Sequence, residues 1–358
     1  LPIEKLSIDR FLELGKMFLI LDVRSPGEYN YAHIPGAFNL PLFTDEERKV
    51  VGTAYKQESR EAAIKIGLDY FGPKMRQMVE QVESLAGSRN LASGPRQVLV
   101  HCWRGGMRSA GVAWLLDLYG YKVSTLVGGY KSYRNWVIET FSLPFSFTIL
   151  GGYTGSGKTY VLDEMERKGA AVINLERLAH HKGSAFGDIG MPAQPTQEMF
   201  ENLLGQELRT FIESDNPSSS SPVWLEDESQ RIGFINLPNT LWKTMRSSPV
   251  LFMNIPFEER LKHIIQEYGE LDREKMAKAI VRIQKRLGPM ETKTSLQYLE
   301  TGDIESCFRI LLAYYDKHYN KALNNREQFQ SLVTNIECAT VDAKLNADKI
   351  TRQEIIIQ

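Results

Sequence analysis

The stretch "HCWRGGMRS", residues 101–109, holds the first of three cysteines in the chain, and its reading decides the fold. It continues "QVLV" (97–100), a short apolar, β-branched run, and leads into "GMRSAGVAWLLDLYG" (106–120), whose apolar residues recur at helical spacing up to a closing glycine. A buried parallel strand therefore ends at Cys102 and a helix begins just beyond it. In an open α/β sheet that is where ligands bind. Gly105 and Gly106 let the backbone fold tightly enough for N–H groups to converge on an anion, at the positive end of the helix. Arg104 and Arg108 add charge. All of these favour thiolate, so Cys102 reads as a nucleophile with a lowered pKa. Against this stands the ordinary role of a lone cysteine as a small buried hydrophobe.

Outward from this loop, "FLILDV" (18–23) is a second buried strand and "YKVSTLVGGY" (121–130) a strand and turn. Residues 44–92 are charged and helical in pattern, ending in the loop-like "AGSRNLASGP" (86–95). A second strand–loop–helix begins at "FTILGGYTGSGKTYVLDEMERKG" (147–169). Within it "GYTGSGKT" (152–159) fits G-x-x-x-x-G-K-[ST] in the context that motif requires. Gly152, Tyr153, Thr154, Gly155, Ser156 and Gly157 would wrap phosphate oxygens, with Lys158 as the mobile cation and Thr159 placed for Mg²⁺. "AVINL" (171–175), "VWL" (223–225) and "VLFMNI" (250–255) read as further strands. "VWLEDES" (223–229) is either a strand offering Glu226, Asp227 or Glu228 to a metal, with Asp227 the candidate ligand, or an exposed acidic turn.

"DNPSSSSP" (215–222) reads as a surface loop, and from about Pro256 onward the pattern is helical. "NWVIETFSLPFS" (135–146) shows no clear period and contains Pro144, so the domain boundary falls near 138–146. The expectation is an α/β chain: a parallel-sheet domain over 1–140, then a P-loop α/β domain over 141–358 with a helical C-terminal extension. Its 358 residues, 42% hydrophobic and 24% charged, suffice for two cores.

A net charge of −1 excludes whole-protein attraction to nucleic acid, so such a substrate would need a local basic surface. "DREKMAKAIVRIQKRLG" (272–288) offers one. Met276, Ile280, Ile283 and Leu287 form its apolar face, while Lys275, Lys278, Arg282 and Lys285 run along another with Arg286. This is a solvated helix face, a contact to RNA phosphates, or a lid over the phosphate site. In "LLAYYDKHYN" (311–320) the tyrosines and His318 are core and rim residues or a platform for stacking bases. Cys102, Cys307 and Cys338 are far apart and lack CxxC spacing, which argues against disulfides and zinc and for a reducing cytoplasm. No apolar run is long enough to span a membrane, and the first residues do not read as a secretion signal.

"LDVRSPGEYNYAHIPGAFNLPLF" (21–43) resembles the first motif of rhodanese-like domains, and "LVGGYKSY" (126–133) their closing turn. The resemblance implies mostly structural roles for Asp22, Arg24 and His33. It leaves the chemistry open, since sulfurtransferases and a class of cysteine phosphatases share the fold. The Cys-to-Arg spacing suits a tetrahedral oxyanion, which describes both phosphate and selenophosphate. The order of parts, with "NLERLAHHKGSAFG" (174–187), "QPTQEMFENLL" (194–204), "WLEDESQRIG" (224–233) and the insertion "VVGTAYKQESREAAIKIGLDYFG" (50–72), resembles the bacterial tRNA 2-selenouridine synthases over nearly the whole length. That resemblance implies replacement of sulfur by selenium at C2 of wobble 2-thiouridine in tRNA. It further implies selenophosphate as donor, an S-geranyl intermediate from geranyl diphosphate, and no tightly bound cofactor, with Mg²⁺ left open. Cys102 would then carry selenium as a selanyl adduct, and the P-loop would hold the diphosphate. The rivals are a phosphatase fused to a small-molecule kinase, a sulfurtransferase with an NTPase module, and a non-catalytic RNA-binding protein.

Overall fold

A computed structural model describes residues 3–88, 96–213, 222–269, 271–326 and 329–357. The chain divides into two units, Leu1–Thr140 and Phe141–Gln358. Most of the "AGSRNLASGP" and "DNPSSSSP" segments lies outside the described residues.

The first unit runs β1 (Glu4–Leu6), α1 (Ile8–Gly15), β2 (Leu19–Asp22), α2 (Pro26–Tyr31), β3 (Phe38–Asn39), α3 (Asp45–Gln57), α4 (Arg60–Phe71), α5 (Met75–Ser88), β4 (Gln97–His101), α6 (Met107–Leu118), β5 (Lys122–Leu126) and α7 (Gly129–Thr140). Its strands form one parallel sheet in the order β1-β5-β4-β2-β3. β4 is central, so its apolar run is covered on both faces. The charged insertion forms α3 to α5, and Phe71, Met78 and Val82 from it join the core of Leu21, Val100 and Val112. Thr44 starts α3 through a capping box with Glu47. Where "NWVIET" shows no period, the structure continues α7 to Thr140. Its buried face is an aromatic ladder, Tyr130–Tyr133–Trp136, with ring centroids 5.9 and 5.8 Å apart. Spacing of three with polar residues between blurs the apolar pattern there.

The second unit runs β6 (Phe147–Gly152), α8 (Lys158–Arg167), α9 (Leu175–Ala179), α10 (Gln197–Glu213), β7 (Val223–Glu226), β8 (Arg231–Ile232), β9 (Ile235–Asn236), α11 (Asn239–Arg246), β10 (Val250–Asn254), α12 (Phe257–Tyr268), α13 (Arg273–Leu287), α14 (Pro289–Thr301), α15 (Ile304–Asn324), α16 (Phe329–Leu332), β11 (Val333–Glu337) and α17 (Ala343–Ile357). The parallel sheet has the order β11-β10-β6-β7, and β8 and β9 make a separate antiparallel pair. Two expectations are corrected. "AVINL" contributes only a bridge from Val172 to Trp224, because Asn174 caps α9 by accepting from the Arg177 N–H at 2.7 Å. The C-terminal part is not purely helical, since β11 pairs in parallel with β10. β11 is an edge strand in which only Ile336 is fully buried, so it lacks the apolar run of an inner strand. The helical remainder has its own core, including Met276, Ile280, Leu299, Phe308 and Leu311. Among the described residues no helix is long and apolar enough to cross a membrane.

Candidate functional site: a cysteine loop and a phosphate-binding cavity

Cys102 sits just past β4, at the carboxyl end of the first sheet. Its Sγ lies 3.3 Å from the Ser109 hydroxyl, and the Gly106 N–H donates to it at 3.3 Å. Burial pushes the thiol up, but the hydroxyl of Ser109, the backbone N–H groups of Gly106 and Ser109 and the charge of Arg108 together bring it below the ordinary value. Trp103, Arg104, Gly105, Gly106 and Met107 are exposed, so the loop opens to solvent above a buried sulfur. This is the environment of a reactive cysteine, whereas burial raises Cys307 to about 12 and also raises Cys338.

Arg108 does more than lend charge. Its Nη1 donates to Glu28 Oε2 at 2.7 Å, and Arg48 Nε reaches the same oxygen at 2.8 Å. Burial raises the Glu28 carboxyl, but these two guanidinium groups hold it below its usual range. Glu28 thus fixes Arg108 beside the loop. Ser109 was missed as a site residue. Glu28, which the sequence offers with Asp22 as a general acid for the rival phosphatase reading, was missed as the anchor of Arg108. Ser109 was visible in the Arg-Ser pair, whereas Glu28 is 80 positions from Arg108 and only the fold joins them.

The Gly-Gly turn braces the loop from behind. Tyr130 N–H donates to Cys102 O at 2.8 Å and Lys131 N–H to Trp103 O at 3.0 Å. Gly129 has φ +60°, and a Cβ there would come within 2.5 Å of Gly105 N and 2.8 Å of Arg104 N. Backbone cannot give way as a flexible side chain can. Gly129→Ala is therefore expected to cost roughly 2–4 kcal/mol and to raise the Cys102 pKa as the loop shifts. Chemical denaturation and thiol alkylation rates would show both; an unchanged melting curve would contradict it. Asp22 and Arg24 are structural, as expected. Arg24 Nη2 donates to Asp22 Oδ2 at 2.6 Å and to Ala32 O at 2.7 Å, under the Tyr130 ring. His33 stacks on Tyr29 at 4.0 Å.

In the second unit, residues 152–159 form the turn between β6 and α8. Gly155 takes φ +79°, and a Cβ there would meet Ile264 Cγ1 at 2.7 Å, so glycine is required where α12 packs under the loop. Arg260 of α12 secures it, donating to Thr154 O at 3.0 Å and pairing with Asp316 at 2.7 Å. Lys158 Nζ donates to Gly152 O at 2.9 Å, and Tyr153 donates to Asn320. Thr154 to Thr159 line a cavity of about 1440 Å³, with Lys182, Lys243, Arg246, Arg286 and several tyrosines on its walls. The volume exceeds what a phosphate group fills, leaving room for a larger ligand.

Three carboxylates gather beside the loop. Thr159 donates to Glu176 at 2.7 Å, and Glu176 and Glu228 both face the cavity. Burial raises Glu176 and Glu228, and it raises Glu226 to about 8. Asp227, the candidate metal ligand, is committed elsewhere. It accepts from Tyr319 at 2.6 Å and from the buried Arg326 guanidinium. A cation at Asp227 would have to displace Arg326. Among the described residues no group of three or more His, Cys, Asp or Glu side chains is arranged to hold a metal ion. Asp227→Ala would leave the Arg326 charge buried and unpaired, and is expected to lower stability by roughly 3–5 kcal/mol in denaturant titrations. A smaller loss in Asp227→Asn than in Asp227→Ala would identify the pair as the cause.

The five basic residues of α13 do not act as one patch. Lys278 pairs with Glu274 at 2.6 Å and Arg282 with Asp188 at 3.4 Å. Arg286 alone of the five lines the cavity, while Lys275 and Lys285 do not.

The fold and the two sites define a class: a rhodanese-like domain with an activated cysteine, joined to a P-loop domain. A family model described as a rhodanese-like domain matches residues 7–135, and one described as the tRNA 2-selenouridine synthase AAA domain matches residues 145–348. A tRNA 2-selenouridine synthase from Hydrogenovibrio crunogenus is 32% identical over 339 residues, covering 86% of this chain and 90% of that protein. The chain belongs to the tRNA 2-selenouridine synthase family. Proteins of the same name from Bdellovibrio bacteriovorus and Nitrosomonas europaea are 38% and 37% identical over 70% of this chain. The chain spans 64% and 63% of those two relatives' lengths.

Proposed function

We propose that this protein is a tRNA-modifying enzyme that replaces sulfur by selenium at C2 of wobble 2-thiouridine, with selenophosphate as donor and through an S-geranyl intermediate formed from geranyl diphosphate. The observation that carries the reading is the pairing, in one chain of this family, of a cysteine loop built for a tetrahedral anion with a P-loop cavity too large for phosphate alone. Cys102 is the nucleophile of the selenium step: its thiolate attacks phosphorus, the P–Se bond breaks, and the hydrogen selenide released at the loop attacks C2 while water clears the phosphorylated thiol. The loop N–H groups, Arg104 and the anchored Arg108 hold the donor anion. Lys158 and the P-loop amides hold the diphosphate and offset its charge as the geranyl–oxygen bond breaks. The chemistry needs both steps. A thiocarbonyl carbon is a poor electrophile and sulfide a poor leaving group, whereas an S-alkylated C2 is attacked readily and releases geranylthiol. The two guanidinium partners of Glu28 keep it ionised, which leaves the rival phosphatase reading without a general acid at that position. The test is nucleoside analysis of 2-thiouridine tRNA incubated with protein, geranyl diphosphate and selenophosphate. Recovery of 2-selenouridine and of S-geranyl-2-thiouridine when selenophosphate is withheld is the expected result; unaltered 2-thiouridine with turnover of aryl phosphates overturns it.

A further inference from the structure

The stripe Tyr314, Lys317, His318 and Lys321 on α15 has the spacing i, i+3, i+4, i+7, which places all four on one helix face. Lys317, His318 and Lys321 are exposed and Tyr314 is half-buried. Tyr314 and His318 also line the P-loop cavity, as does Arg286 at the end of α13, whose charge acts on the Tyr314 phenol. The two rings lie 4.5 Å apart, and Tyr315 stands 5.1 Å from Tyr314. His318 is held below its ordinary range by burial first and then by the charges of Arg286, Lys317 and Lys321, which places three cations around one aromatic pair. Among the described residues no carboxylate pairs with Arg286, Lys317 or Lys321, while Asp316 beside them is taken by Arg260. Uncompensated cations around an exposed imidazole and a half-buried tyrosine ring, in a protein of net charge −1, mark a place built for a polyanion with flat groups.

We propose that this rim of the P-loop cavity, Arg286 with Tyr314, Lys317, His318 and Lys321, is the surface that grips a single-stranded RNA segment, one base stacking on Tyr314 beside the tilted ring of His318 while the three cations hold its phosphates. The inference rests on the RNA substrate proposed above and assigns its contact. Looped RNA is favoured over duplex because stacking requires a base out of the helix, and sequence-tolerant single-strand binding combines a basic track with aromatic platforms. The rim opens on the cavity that holds Lys158, so a gripped strand presents its neighbouring base to the P-loop ligand.

The test uses the full chain and a fluorescein-labelled anticodon stem-loop RNA containing 2-thiouridine, titrated by anisotropy at several salt concentrations. The triple variant Arg286→Ala, Lys317→Ala, Lys321→Ala is expected to bind at least about tenfold more weakly near physiological salt. Its log–log salt slope should be shallower by about 2, at ~0.7 for each phosphate no longer neutralised. Tyr314→Ala should weaken binding about tenfold and Tyr314→Phe little, since a ring but not a hydroxyl is needed. Lys275→Ala with Lys278→Ala should leave affinity and slope alone. Geranyl diphosphate binding measured on the same variants reports that the cavity is intact. Wild-type protein that fails to bind the RNA at low salt would overturn the tRNA reading itself. Wild-type binding that the triple variant and Tyr314→Ala reproduce would overturn only this surface, and losses confined to geranyl diphosphate binding would reassign the rim to that ligand.

Discussion

Cys102→Ser is expected to abolish selenium incorporation, by about three orders of magnitude or more, while geranylation of 2-thiouridine RNA continues. A serine hydroxyl in the same loop is not ionised near neutral pH and does not displace selenide from selenophosphate. Intact-mass measurement after selenophosphate treatment should show an adduct on the wild type and none on the variant. The supporting geometry makes a finer prediction. Ser109→Ala removes the hydroxyl 3.3 Å from Sγ, one of the groups that holds the thiol below its ordinary value. Loss of that hydrogen bond raises the thiol pKa back toward its ordinary value. The thiolate fraction at any pH below that pKa then falls, so iodoacetamide should alkylate Cys102 more slowly at mildly acidic pH and at an unchanged rate well above it. An alkylation midpoint that does not move in Ser109→Ala would show that the loop amides and Arg108 suffice.

Lys158→Ala should lower geranylation by roughly two to three orders of magnitude, the usual loss for one group that stabilises charge developing in a transition state. The effect should fall on turnover more than on retention of geranyl diphosphate, because the P-loop amides still bind its phosphates. The ammonium donates to Gly152 O at 2.9 Å, a neutral acceptor it can leave without exposing a buried charge. The Cys102 adduct should still form in this variant. If Lys158→Ala geranylates normally and Cys102→Ser does not, the assignment of the two steps to the two domains is reversed.

Much of the fold was legible because both sheets are parallel and four of their five inner strands, β2, β4, β6 and β10, are covered on both faces. Such strands carry unbroken apolar runs that stand out in a sequence. The elements that escaped have the opposite character. β11 pairs along one edge only and needs no apolar run, and the end of α7 buries aromatic rings whose spacing is masked by polar neighbours. "AVINL" is apolar yet makes one bridge, since an asparagine cap two residues after Val172 diverts the chain into α9.

The sites divide along the same line. Cys102, Arg104, Arg108, Ser109 and residues 152–159 are each contiguous in the chain, and the work of an anion loop is done by successive backbone N–H groups at a helix start. A local stretch therefore determines both loops and the class of ligand each admits, and the order of the two motifs determines the family. Pairings between distant residues were decided only by the tertiary structure. It joined Glu28 to Arg108, turned Gly129 against the cysteine loop, and tied Asp227 to Tyr319 and Arg326 rather than leaving it open to a metal. It also detached Arg286 from the rest of its helix and set it beside the rings of α15. A charge acquires its role from the partner that packing brings within a few ångströms, and helical periodicity says which face a side chain shares but not what that face meets.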